Sequence, residues 1–172
     1  MDKTVLVDSD INDGMRLIQK LDLTDFSVVA ALWFYYSDVF EWRLTIASWY
    51  LDKNGPKKAY GFLQTLLMDF DIPSISLENI TLISPEHDLI KLLSLTIQTG
   101  PQLSKIRFTR NVINGQLIED AYIYRINYQP TNRSSPTKNG QHRYLSKKLG
   151  KKRKPNDKNR LVFFLLIAIY CG

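Results

Sequence analysis

An α+β domain is the fold class this sequence predicts: a mostly antiparallel five-stranded sheet with three helices packed on one face, in the order αββαβαββ, followed by a disordered basic C-terminal tail. Three observations carry that expectation. Residues 105–126, KIRFTRNVINGQLIEDAYIYRI, form two alternating runs joined at Asn114-Gly115. Asn-Gly is the strongest short-range hairpin signal, because a type I′ turn needs positive φ at both central residues. Residues 28–36, VVAALWFYY, are rich in β-branched and aromatic residues and apolar at both parities, which suits a central strand covered on most of its length. Ser84-Pro85 with Glu86 and Asp88, closed by Gly100-Pro101, marks both ends of a helix whose stripe of Leu89, Ile90, Leu92, Leu93 and Ile97 must lie on a sheet.

The remaining elements follow from similar patterns. Ser9 or Asp10 as N-cap, followed by Ile11, Met15, Ile18 and Leu21 at helical spacing, predicts a helix over about 10–21. In residues 41–50, Trp42, Leu44 and Ile46 alternate with Glu41, Arg43 and Thr45, so this run predicts a strand and a second hairpin with 28–36. Gly55-Pro56 opens a helix carrying Ala59, Leu63, Leu66, Leu67 and Phe70, and Pro73 ends that region. Residues 77–83, LENITLI, predict a short strand.

Charge divides the chain. Residues 1–126 hold 12 basic and 16 acidic side chains, net −4; residues 127–172 hold 11 and 1, net +10. Basicity that would suggest an anionic partner therefore belongs to the tail alone. The domain boundaries expected are 1–126 for a single domain, 127–160 for the tail and 161–172 for a short apolar segment. Residues 147–160, KKLGKKRKPNDKNR, are the tail's candidate for nucleic-acid contact. The uncharged run 161–171, LVFFLLIAIYC, is about half the ~20 residues a bilayer span needs; it could instead lie at a membrane surface or dock on the domain. A Lys/Asn-rich run followed by a Phe/Leu/Ile run is also what AT-rich DNA encodes in a shifted frame, which would make this end non-native. A lone Cys171 and no secretory signal point to the cytoplasm.

Several constellations invite chemistry and fall short of it. Asp8, Asp10 and Asn12 have the spacing of a calcium loop, but Asp13 stands where that loop needs Gly and Gln19 where it needs Glu, so a helix-capping cluster is the better reading. His87 lies in a first helical turn with no second His near it, and the chain shows no metal-ligand spacing; no metal and no cofactor is expected. Glu41, Asp52, Glu119 and Asp120 with Arg107 or Arg110 could gather as in a metal-dependent hydrolase or nuclease, yet Arg110 and Glu119 read as a cross-strand ion pair and no catalytic residue is assigned. Catalysis is the less favoured class.

The candidate surface is the final hairpin. With Asn114-Gly115 at the turn, Arg107 opposes Tyr122, Phe108 opposes Ala121 and Ile106 opposes Ile123. Ile106, Phe108, Ala121 and Ile123 make a core face. The other face holds Lys105, Arg107, Thr109, Asp120, Tyr122 and Tyr124, and Arg43 and Thr45 would join it from the neighbouring strand. Cations interleaved with rings suit single-stranded nucleic acid; an acidic domain with exposed aromatic strands suits a protein partner or a homo-oligomer at least as well.

Residues 31–48 (ALWFYYSDVFEWRLTIAS), 51–60 (LDKNGPKKAY) and 106–126 resemble a group of small bacterial proteins without an assigned function, over about residues 10–126. The resemblance implies no activity, and members of that group end soon after the position of Ile126. The functional expectation is therefore a small α+β binding or protein-interaction domain working through its C-terminal hairpin.

Overall fold

A computed structural model describes residues 3–130. The expectations for 131–172, including both tail segments, lie outside the described residues. Four α-helices, α1 (Asp8–Leu21), α2 (Trp49–Asn54), α3 (Pro56–Asp69) and α4 (Asp88–Ser94), accompany five strands, β1 (Val28–Tyr36), β2 (Glu41–Ser48), β3 (Ile80–Ile83), β4 (Ile106–Ile113) and β5 (Gln116–Ile126). The sheet runs β3-β2-β1-β5-β4. β1 is central, as its two-sided hydrophobicity requires. All pairings are antiparallel except β2 with β3, which is parallel, so the α+β class and the mostly antiparallel sheet stand.

The helices do not share one face. Leu17, Ile18 and Leu21 of α1 and Ala59, Leu63 and Leu66 of α3 pack on Trp33, Trp42, Leu44, Ile46 and Tyr124. Ile90 and Leu93 of α4, followed by Ile97, pack on the opposite face, against Ala30, Leu32, Ile123 and Ile126. The reason lies in β1 itself: a strand apolar at both parities needs cover on both sides, and each layer of helices supplies one.

Local chemistry moves several element ends. α1 begins two residues earlier than its apolar spacing suggests, with Val7 as N-cap; Asp10 sits at the third helical position and its carboxylate accepts the Val7 N–H at 3.2 Å. Ser84 caps a turn rather than a helix, taking the Glu86 N–H at 3.1 Å, and α4 starts three residues later, where His87 Nδ1 accepts the Leu89 N–H. β2 stops at Ser48, whose hydroxyl accepts the Tyr50 N–H and turns the chain into α2. Residues 77–79 form a 3-10 turn before β3. Packing also continues past Ile126: Tyr128 is buried and its hydroxyl reaches Glu86 at 3.1 Å.

A buried polar chain ties α1 to the sheet. Trp33 Nε1 donates to Tyr124 Oη at 3.0 Å, and Tyr124 Oη donates to the Ile11 carbonyl at 2.6 Å. Gly14 makes the approach possible, since a Cβ there would stand 2.5 Å from Tyr124 Oη.

Candidate functional site

The hairpin turn has the geometry its sequence dictates, with Asn114 at φ 50° and Gly115 at φ 78°. Its register is the expected one: Arg107 opposes Tyr122, Phe108 opposes Ala121 and Ile106 opposes Ile123. The side chains do not alternate throughout, however. Ile113 and Ile118 share the α4-side core with Ala121 and Ile123, although 118 and 121 are an odd number of residues apart.

Arg110 is the cause. It adopts φ 51°, the left-handed region that strains an arginine, while the register on either side of it is preserved. Two consecutive residues on each strand therefore turn to the same side: Thr109 and Arg110 on β4, Glu119 and Asp120 on β5. Together with Thr4, Tyr35, Trp42 and Leu117 they line a cleft of about 610 Å³. The N-terminal segment forms its far wall, held in place where the Trp42 N–H donates to the Lys3 carbonyl at 2.7 Å.

The charges in this cleft are unequal. Arg107 donates through Nε to Asp120 Oδ1 at 2.7 Å and through Nη2 to Oδ2, while its guanidinium carbon lies 5.0 Å from the centre of the Trp42 ring. Thr109 Oγ1 adds a third bond to Asp120 at 3.1 Å. Asp120 is thus fully engaged. Arg110 and Glu119 do not form the cross-strand pair that their register suggests; among the described residues neither has a hydrogen bond or an ion pair, and both are exposed. Both line the cleft and face solvent.

Other residues expected on this surface are placed elsewhere. Tyr124 is fully buried beneath α1: it follows Tyr122 at strand spacing on the same side of the sheet as Trp33, and α1 covers that side at Tyr124. Burial pushes its hydroxyl pKa well above the usual tyrosine range, against a smaller opposing effect of the Trp33 hydrogen bond. Tyr122 is half-buried against the same core and its pKa is raised by burial, with Arg107 pulling the other way. Arg43 projects from the opposite side of the sheet to Trp42 and is paired with Glu41 at 3.0 Å. Thr45, on that side too, is buried and bonded to Tyr36. Lys105 is exposed beside the start of β4. The structure thus brings Arg107, Thr109, Asp120 and Tyr122 together, and keeps Arg43, Thr45 and Tyr124 away from that surface.

The nuclease-like grouping is not assembled. Glu41 is held by Arg43 and Asp52 accepts the Ser84 hydroxyl at 2.8 Å, and neither lines the cleft that holds Glu119 and Asp120. No group of three or more His, Cys, Asp or Glu residues that could hold a metal ion occurs among the described residues, and no helix among them is long and apolar enough to cross a membrane. Asp10 and Asp13, from the calcium-like string, bond to Lys3 and to the Ser74 N–H, respectively.

Sequence reasoning missed Tyr35, Trp42, Arg110 and Leu117 as parts of the site. Only Leu117 and Val112 left a trace: two apolar residues facing each other next to a polar turn, 54% and 65% exposed in the structure. Val39 and Phe40, in the β1–β2 turn at the same end of the sheet, are exposed as well. No protein-family model, curated protein or solved structure matches this chain.

Proposed function

We propose that this protein is a binding module whose working surface is the cleft on the final hairpin, with its apolar rim as the contact area for a protein partner. The observation that carries this reading is Arg110: a non-glycine residue held at φ 51° in an exposed strand, in one cleft with Glu119, both side chains unpaired among the described residues. Backbone strain of that kind costs of order 1–3 kcal/mol and concentrates at working surfaces. Val112, Leu117, Val39 and Phe40 add exposed apolar area at the same end of the sheet, which suits a partner interface.

The nucleic-acid reading has less support. Of its two expected stacking rings, Tyr124 is buried and Tyr122 half-buried, and Arg107 is paired with Asp120.

A photo-crosslinking amino acid placed at Leu117, in cells that make the protein, tests the proposal. The control position is Leu23, 81% exposed in the turn after α1. A discrete adduct from position 117 and none from position 23 is expected. No adduct at 117, or the same smear from both positions, would overturn it.

A further inference from the structure

We infer that the partner of this surface is an extended acidic segment, which adds to the free edge of β4 as a sixth strand. This rests on the binding-module reading above and names the chemistry of its partner. Among the described residues β4 is the last strand of the sheet, paired only with β5, so its outer edge is open to another strand.

Charge selects the occupant. Lys105, Arg107 and Arg110 are the only ionisable residues between 105 and 113, and all three are basic. Arg107 is already matched by Asp120, which leaves Lys105 and Arg110 exposed without a partner among the described residues. A second copy of the chain fits poorly, because antiparallel pairing of β4 with itself sets these cations against one another. The chain's own residues 127–172, with 11 basic side chains and one acidic, fit no better. An extended segment with Asp or Glu at alternate positions meets both cations. The row of cations thus excludes self-pairing and favours one class of foreign strand.

The positive φ at Arg110 limits where docking occurs. It interrupts the outer edge, so the incoming strand pairs along the first half of β4, Ile106 to Thr109, and its end reaches the cleft where Arg110 and Leu117 stand.

The test uses the full-length protein and short synthetic peptides that alternate Val with Glu, with Lys or with Ser. Binding is read by fluorescence anisotropy, and the site by amide hydrogen exchange of β4. Expected is protection of the 106–109 amides by the Glu peptide alone, with affinity at least roughly tenfold above the Ser peptide. Lys105→Glu with Arg110→Glu should abolish both effects; Arg110→Gly, which suits the left-handed backbone, should weaken binding without disturbing the fold.

Binding of the Glu peptide without β4 protection would locate it elsewhere on the chain and overturn the inference. Equal protection by the Ser or Lys peptide, absence of binding, or a dimer by light scattering whose β4 amides are already protected would each overturn it too. A crosslink at Leu117 together with any of these results leaves the binding module standing and removes only the acidic-strand partner.

Discussion

Gly14→Ala should destabilise the protein by about 2–3 kcal/mol, although alanine is the better helix former. An alanine Cβ at this position would lie 2.5 Å from Tyr124 Oη, 2.9 Å from Trp33 Nε1 and 3.1 Å from Tyr124 Cζ. Neither ring can withdraw, since both are fully buried. Overpacking of a core costs ~1–3 kcal/mol, and forcing Tyr124 away from Trp33 strands a buried N–H for another ~1–3 kcal/mol. The gain in helix propensity returns only ~1 kcal/mol. With a urea slope of about 2 kcal/mol/M, the unfolding midpoint should fall by roughly 1–1.5 M, followed by tryptophan fluorescence and by far-UV circular dichroism. Gly61→Ala is the matched control: nothing lies within 4 Å of its Cβ position in α3, and the midpoint should rise by the equivalent of ~0.5–1 kcal/mol. If Gly14→Ala raised the midpoint as well, Tyr124 and Trp33 could not abut α1 in the way described.

Tyr124→Phe should cost about 1–3 kcal/mol by orphaning Trp33 Nε1, measured by the same urea series. The pH dependence follows from the raised hydroxyl pKa of Tyr124: the fold favours the neutral form, so this contribution is complete below the unfolded tyrosine value of about 10 and is lost as pH rises above it. Stability should therefore decline from pH 10 upward in the wild type and more gently in Tyr124→Phe, with the residual slope due in part to Tyr122. Asp22→Ala removes the carboxylate that holds the buried Arg125 guanidinium at 2.6 and 2.7 Å, and Arg125 Nε has no partner among the described residues to begin with. The loss expected in calorimetry is about 2–3 kcal/mol, below that of a fully buried pair because the Asp22 side chain is one-third exposed. Arg107→Ala should cost less than ~1 kcal/mol in the urea series, since its pair with Asp120 is partly solvated.

The hairpin was legible because its turn is fixed by two residues: Asn114 and Gly115 take positive φ with little strain, and the pairing of Ile106, Arg107 and Phe108 with Ile123, Tyr122 and Ala121 follows from them. The central place of β1 was legible for a different reason, its apolar residues at both parities. The same pattern should have warned against a one-faced helical layer. The short α4 was not legible, because Ser84-Pro85 opens a helix and a plain turn equally well and only tertiary packing decides between them. Tyr124 follows Tyr122 at strand spacing and shares its face, and nothing in that spacing reports that α1 covers the face there. Arg110 is the least legible residue of all. Arginine has no preference for left-handed backbone, so no propensity could place Thr109 and Arg110 on the same side of β4.

Arg110→Gly, assayed at once for stability and for crosslinking through position 117, tests most directly whether the strained arginine is kept for binding. Relief of strain at φ 51°, set against the extra freedom of glycine in the unfolded chain, leaves the protein between unchanged and ~1 kcal/mol more stable. The urea midpoint should therefore hold or rise while the position-117 adduct is lost. A lower midpoint, or an adduct formed as efficiently as in the wild type, would contradict a binding role for Arg110 and return the cleft to the ordinary surface of a strand edge.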